Sequence, residues 1–406
     1  MLTVNEAKRK INEQIEPVSG SEQVPLKECV GRILVDNLYA TQNIPSEAIS
    51  AMDGYAVKYS EIANLQPKQL QIVGTSWAGS PYTGTHKEGE CIRIFTGAVL
   101  PEWSDSVILQ ENVEQSEKFM SFSGTIAYED YVRGVGSDIE TGQIVFEKGH
   151  RISAADIGLI ASLGLGDLCV QRKLRAAFFS TGDELRPLNT PLKSGEIYDS
   201  NRYSIHALLS PLNIQALDLG VIKDNLELLC NTLQNTAAEN DVIISSGGVS
   251  VGDADYTKEA LQQVGQINFW KIAMKPGKPL AFGRIGNCWF FGLPGNPVSV
   301  LVTFYQIIRP ALLKLSGATE KKSLHLNARC DTDINRTPGR QEFQRGSCFI
   351  NDAGVLMVTP ATKQESHNLS VLNKTNCFII LPADCNSIKA GETVEIEPIE
   401  APYTFC

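Results

Sequence analysis

The chain has 406 residues, 43% of them hydrophobic and 20% charged, with a formal net charge of −10. That length is too great for one ordinary domain and predicts about two to four. The acidic balance excludes broad nucleic-acid binding, which needs a basic footprint, so an anionic substrate would have to be held by a local cluster of Lys, Arg and helix N-termini.

The longest unbroken apolar runs, such as "VIIS" and "CFIILP", fall far short of the ~20 residues that cross a bilayer, so no membrane partner is expected. The opening "MLTVNEAKRKINEQIEPV" lacks an apolar core followed by a small-residue cleavage site, so no secretory signal is expected either. Ten cysteines lie between Cys29 and Cys406 without a C-x-x-C pair. Such spacing fits reduced thiols and a cytoplasmic location better than a disulfide frame or a zinc site.

Taken in chain order, Val4, Ala7, Ile11 and Ile15 have helical spacing. From about Val24 to Gly149 short β-rich runs alternate with Gly, Pro and Asn, among them "QLQIVGTSWAG", "ECIRIFTGAV" and "DSVILQENVE". "SAADIGLIASLG" reads as a helix capped by Ser153 and ended by Gly164. Beyond it, "LRAAFFS", "IQALDLGVI" and "NDVIIS" are strands separated by the helical "NRYSIHALL" and "NLELLCNTLQNTA". This alternation predicts parallel βαβ units with ligands beyond the strand C-termini. A hairpin-like "KPLAFGRIGNCWFFGL" and the helix "PVSVLVTFYQIIRPALLKL" follow. After Gly317 the chain turns β-rich again and predicts a small sandwich or barrel. The fold class is multidomain α/β plus β.

Polar groups recur where the three βαβ strands end: Asp183 and Glu184 after "AAFFS", Lys223 and Asp224 after "LDLGVI", and "SSGGVSVGDADY" after "DVIIS". Each has an ordinary structural explanation, since Asp and Ser are common helix caps and Gly is common in turns. For Asp224, just before "NLELL", capping is the plain alternative. Convergence of all three ends on one crevice favours a site.

In the last stretch, Ser246, Gly247, Gly248, Ser250 and Gly252 form a candidate anion cradle, with Gly allowing close backbone approach ahead of a helix N-terminus. The acidic residues that follow make sense if a divalent cation lies between them and a phosphate. Magnesium takes one or two carboxylates together with phosphate oxygens and water. Asp255 is the better ligand candidate, because Asp253 also suits the first turn of the helix.

Downstream, Lys271, Lys275 and Lys278 surround the stiff Lys-Pro-Gly-Lys-Pro segment and suit phosphate or oxyanion binding, with a solvated charge run as the alternative. Pro294, Gly295, Asn296 and Pro297 place a second helix N-terminus nearby. In the N-terminal half, Asp53-Gly54 within "SAMDGYAV" reads as a hairpin turn. "RIFTGAVLP" and "YVRGVGSDI" read as strand and turn.

Together "SAMDGYAV", "RIFTGAVLP", "STGDEL", "GEIYDSN", "SSGGVSVGDADYTK", "KPGKPLAFG" and "LPGNPVS", in this order, resemble the molybdopterin molybdenumtransferases, the MoeA and gephyrin-type molybdenum insertases. The resemblance implies cleavage of adenylylated molybdopterin with Mg2+, insertion of molybdenum from molybdate, and release of AMP and molybdenum cofactor. It also implies an elongated homodimer with the active site between subunits. The implied domains are a discontinuous N-terminal domain (1–45 and 138–170), an inserted β-rich domain (46–137), an α/β molybdopterin-binding domain (171–318) and a C-terminal barrel (319–406).

By motif position the resemblance carries functional roles to Asp53, Thr96, Arg133, Asp138, Glu184, Asp224, Asp255, Lys271, Lys275 and Ser366. Glu184 and Asp255 would hold Mg2+, Lys271 and Lys275 would neutralise oxyanions, and Asp53 and Asp138 would act near the insertion step. The sequence departs from the family at Ser137, where Glu is common, and at Trp103, where a small residue is usual. Rival readings are molybdopterin adenylyltransferase, a receptor-tail scaffold and a generic Mg2+-dependent phosphohydrolase. Transient partners would be the adenylyltransferase and recipient molybdoenzymes.

Overall fold

The computed structural model describes residues 1–63, 69–249 and 256–399. Helix α1 (Val4–Gln14) starts at Thr3, whose side chain accepts from the Glu6 N–H while Glu6 reaches back to the Thr3 N–H. This reciprocal cap ends the helix backbone cleanly. Its stripe of Val4, Ala7 and Ile11, extended by Ile15, joins the same core as Phe304, Leu312 and Leu315. The first helix therefore packs into the α/β core. Strand β1 (Ser21–Pro25) pairs much later in the chain with an antiparallel strand, Val24 lying opposite Leu168.

Between these partners lies a six-stranded sheet of β2 (Gly54–Val57), β3 (Gln69–Ser76), β4 (Glu90–Ile94), β5 (Ser106–Leu109), β6 (Val113–Gln115) and β7 (Phe119–Phe122). Its order is β5-β2-β4-β3-β7-β6. Asp53-Gly54 is not the hairpin turn that the sequence suggests. Gly54 opens a fully buried central strand, and a Cβ there would lie 2.1 Å from the Ile108 carbonyl oxygen. The glycine answers to strand packing. Helix α2 (Ala154–Ser162) is capped by Ser153 as the sequence predicts, and β8 (Asp167–Gln171) is the partner of β1.

The α/β unit contains β9 (Arg175–Thr181), α3 (Asn201–Leu209), β10 (Gln215–Ile222), α4 (Leu226–Glu239), β11 (Val242–Ser246), α5 (Tyr256–Val264), β12 (Gln266–Lys271), the short β13 (Met274–Lys275), β14 (Pro279–Ile285) and β15 (Cys288–Leu293). Its sheet runs β10-β9-β11-β15-β14-β12, with β10, β9, β11 and β15 mutually parallel. The near-continuous apolar runs follow from burial on both faces. Ala176, Phe178, Ile244 and Phe291 belong to one core with α1 and α3; the alternating Ala177, Phe179, Ile243 and Phe290 belong to another with α4 and α5. Period-two alternation thus builds three layers.

Helix α6 (Pro297–Leu315) is 19 residues long and apolar enough to span a bilayer by composition, yet 67% of it is buried inside the protein. It is a core helix, interrupted by a π turn over Phe304–Ile308. Strands β16 (Leu326–Cys330), β17 (Gln341–Ile350), β18 (Leu356–Pro360), β19 (Cys377–Leu381) and β20 (Thr393–Pro398) then close on themselves. The order is β17-β18-β16-β20-β19, and β19 pairs back to β17. Closure resolves the sequence's sandwich-or-barrel alternative in favour of a barrel, which leaves no free edge among these five strands. Short β13 adds to β17 from the α/β side, with Lys275 opposite Glu342.

Candidate functional site

The sheet order brings the three polar strand ends side by side. β9 lies between β10 and β11, with Thr181 opposite Ile222 and Ser180 opposite Ser246. The chain therefore departs in opposite directions from β9, the arrangement that opens a crevice at the strand C-termini. The Thr181 hydroxyl donates to Asp224 Oδ1 across this edge. The capping alternative for Asp224 fails, because Asn225 caps α4 by accepting from the Leu228 N–H at 2.9 Å. Asp224 also borders an open cavity of about 490 Å³ lined by Asn225, Glu227, Tyr256 and Gln263, within the ordinary size range of small-molecule pockets.

Glu184 is exposed, and its carboxylate folds back over Gly182, where a Cβ would lie 2.6 Å from Oε2. Gly247 and Gly248 have φ of 87° and 62°. A Cβ would meet the Thr181 carbonyl oxygen at 2.3 Å from Gly247 and Thr257 Oγ1 at 2.1 Å from Gly248. Both glycines are thus required by the protein's own packing, whatever lies outside the turn. Ser250, Gly252, Asp253 and Asp255 lie outside the described residues.

Ser246 is buried and accepts from Asn201 Nδ2 at 2.9 Å; the same amide donates to the Gly295 carbonyl at 2.7 Å. Asn201 therefore joins the "SSGG" and "PGNP" segments. Pro294 is buried, Gly295 and Asn296 are exposed, and Pro297 begins α6. Asn296 makes no side-chain cap and instead donates to Ser366 Oγ at 2.9 Å, while the Val298 N–H donates to the Ser366 carbonyl at 3.2 Å. The barrel thus delivers Ser366 to the start of α6.

Lys271 and Lys278 are exposed at the strand turn, and Lys278 accepts from the Ile272 N–H through its carbonyl. Lys275 differs. Its Nζ lies 3.0 Å from Oε1 of Glu342, whose side chain is only 5% exposed. Sequence reasoning missed Thr181, Asn201 and Glu342. Asn201 sits in "GEIYDSN", a motif quoted only for the resemblance, and Thr181 in "STGDEL", singled out for Asp183 and Glu184, whereas nothing local marks Glu342.

A second group of residues lies on the inserted sheet. Asp53 Oδ1 accepts from both the N–H and the hydroxyl of Thr96 at 2.8 Å. The Thr96 N–H first, then its hydroxyl, hold the Asp53 carboxyl below the usual carboxylate range. Arg133 lies opposite Ile49, and the Tyr131 carbonyl accepts from Ala51, so this strand runs beside the segment leading to Asp53. Exposed Asp138 donates its N–H to the Ile44 carbonyl at 3.0 Å. All these partners lie in the N-terminal half, whereas those of Asp224 and Ser246 lie in the α/β unit.

Among the described residues, no group of three or more His, Cys, Asp or Glu is placed to hold a metal. Magnesium does not require such a cage, since it keeps several waters and needs only one or two carboxylates beside phosphate oxygens. Exposed Glu184 is a carboxylate, as is half-buried Asp224 held by Thr181, and carboxylates are the hard oxygen donors that magnesium takes.

The fold and this constellation define an α/β protein with a polar crevice at its strand C-termini, and similarity to known proteins specifies it. Residues 2–164 match the MoeA N-terminal region (domain I and II), 177–314 the probable molybdopterin binding domain, and 327–399 the MoeA C-terminal region (domain IV). A molybdopterin molybdenumtransferase of Haemophilus influenzae is 42% identical over 98% of both chains. One from Nostoc is 33% identical over 94% of this chain and 89% of its own. A molybdopterin biosynthesis protein structure from Pyrococcus horikoshii superimposes with a TM-score of 0.84 at 25% identity, covering 98% of this chain and 100% of that one. The chain belongs to the MoeA/gephyrin-type molybdenum insertase family.

Proposed function

We infer that this protein inserts molybdenum from molybdate into adenylylated molybdopterin, cleaving the adenylyl phosphoanhydride and releasing AMP and molybdenum cofactor. Family membership along the whole chain supports the reaction. The observation that carries the site assignment is the Thr181–Asp224 hydrogen bond at three adjacent strand ends, next to the Gly247-Gly248 turn.

In this reading Thr181 fixes the Asp224 carboxylate toward the crevice, and Ser246, held by Asn201, sets the turn that approaches the phosphate. Glu184 and Asp255 would hold Mg2+, which when bound supplies positive charge beside the phosphoanhydride oxygens. Lys271 and Lys278 offer donors to oxyanions. Lys275 does so from its pairing with Glu342, which orients the ammonium and lowers its net charge locally. Ser366 and Asn296 close the far side, and Asp53, Thr96, Arg133 and Asp138 serve the insertion step.

The two groups of residues would form one cleft in a homodimer, the inserted sheet of one subunit facing the α/β unit of its partner. The protein would work in the cytoplasm and contact the adenylyltransferase and recipient molybdoenzymes transiently. Mixed dimers of Asp53→Asn and Asp255→Asn chains are expected to recover activity that neither variant shows alone; no recovery sinks the shared cleft.

The reaction is tested by AMP release from adenylylated molybdopterin and Mg2+, with and without molybdate. The expected result is molybdate-stimulated release together with cofactor that activates an apo-molybdoenzyme. Release indifferent to molybdate, without active cofactor, reduces the protein to a phosphoanhydride hydrolase. Consumption of ATP with pyrophosphate release identifies an adenylyltransferase instead.

A further inference from the structure

Trp77 is 53% exposed, but it is not a loose surface side chain. Its indole stacks on Phe95 with centroids 4.0 Å apart and planes within 9°. The Arg93 guanidinium lies 5.0 Å from the centroids of both Phe95 and Tyr55. Arg93 is itself fixed, donating to the Gly54 carbonyl at 3.1 Å and to Gln110. The Trp77 backbone is fixed as well: Trp77 and Ser80 exchange both N–H to carbonyl bonds, closing a turn at Gly79, whose φ is 81°. Phe95 is anchored by its N–H on the Ser76 carbonyl and directly precedes Thr96, which holds Asp53.

Single exposed apolar side chains are common and need no explanation. A clamped, half-exposed indole, stacked on the residue next to the one that holds Asp53, is a different object. The other tryptophans with described side chains are used internally, Trp103 stacked on His86 and Trp289 on Phe282.

We propose that Trp77 is a stacking shelf for a planar heteroaromatic ring of the substrate, held beside Asp53 and Thr96. The proposal rests on the insertase reading for the identity of that ring. Adenylylated molybdopterin carries two such rings, adenine and pterin, and their shared chemistry is a flat, polarisable π face. An indole is the strongest side-chain partner for such a face, and the Arg93 cation at Phe95 polarises the stack. Stacking positions a ring without covalent chemistry, so the shelf binds and orients while the polar groups act on phosphate and molybdate.

The test uses the full-length protein and two probes, AMP and a simple pterin, followed by quenching of tryptophan emission. Quenching by AMP alone assigns the shelf to adenine, and quenching by the pterin alone assigns it to the pterin. Trp77→Ala should abolish that quenching and raise the KM for adenylylated molybdopterin on the order of 10- to 100-fold, with the larger part of the loss in KM. Trp77→Phe should bring KM back most of the way. Unchanged quenching and KM in Trp77→Ala overturn the shelf, and so does a change in oligomeric state with KM intact, which would make the indole a subunit contact. Quenching does not require molybdenum transfer. If wild-type AMP release ignores molybdate while quenching persists, the insertase reading falls and the shelf stands.

Discussion

The two halves of the candidate site hold a carboxylate in contrasting ways. On the inserted sheet, Asp53 is gripped by one residue, Thr96, through both its N–H and its hydroxyl, and the adjoining Gly97 has nothing within 4 Å of a would-be Cβ. In the α/β unit, Asp224 takes its hydrogen bond from Thr181 on the neighbouring strand. The adjoining Gly247 and Gly248 are packed so closely that no side chain fits. The first half is open and locally built, so it tolerates change around it. The second is set by register and close packing, and its geometry is inseparable from the fold.

The sharpest way to break this contrast is an alanine in each glycine turn. Gly248→Ala forces a Cβ against Thr257 at positive φ and should destabilise the α/β unit by about 2–4 kcal/mol while cutting AMP release. Gly97→Ala also meets a positive φ, 78°, but open space, and should cost only about 1–2 kcal/mol. Urea denaturation of both variants measures this; equal losses would erase the distinction.

A smaller effect separates the two threonines. Thr181→Val removes a hydroxyl bond to a charged group and should lower kcat/KM for AMP release roughly 10- to 100-fold. Thr96→Val keeps the backbone N–H on Asp53 and should lose less in the same assay. A larger loss in Thr96→Val than in Thr181→Val would reverse the ranking.

The smallest effect is in pH dependence. Donors from Thr96 favour the ionised Asp53, so its folded-state pKa lies below the unfolded value of about 3.9. The stabilisation is present above that unfolded value and is lost as pH falls through the folded one. Thr96→Val should therefore raise the Asp53 pKa toward its ordinary value, read by carboxyl-carbon NMR titration. Its stability should converge with wild type in acid. An unmoved pKa would leave the hydroxyl without a part in the shift and assign it to the backbone N–H at position 96.

Much of the local structure was legible in the residues. Thr3 and Ser153 cap the helices that the apolar spacing predicts. The three βαβ strands and the hairpin of β14 and β15 occur where continuous apolar runs and the Gly286-Asn287 turn place them. The choice between Asp224 and Asn225 as helix cap was not legible, because both side chains can cap and only backbone geometry separates neighbours. Likewise Gly54 looked like a turn residue and proved to be a packing residue.

By itself the sequence determined most of the elements and the caps at Thr3 and Ser153, because these depend on contacts within a turn or two and on alternation along one strand, and it carried the motif order that marks the family. Tertiary structure alone decided that Thr181 meets Asp224, that Asn201 joins Ser246 to Gly295, that Ser366 reaches Asn296, and that Lys275 pairs with Glu342. Each of these pairs spans dozens of residues, and their meeting depends on sheet order, strand register and closure of the barrel. A hydrogen-bond donor is written into its residue type, but its partner is chosen by whatever the fold brings within 3 Å or so of it.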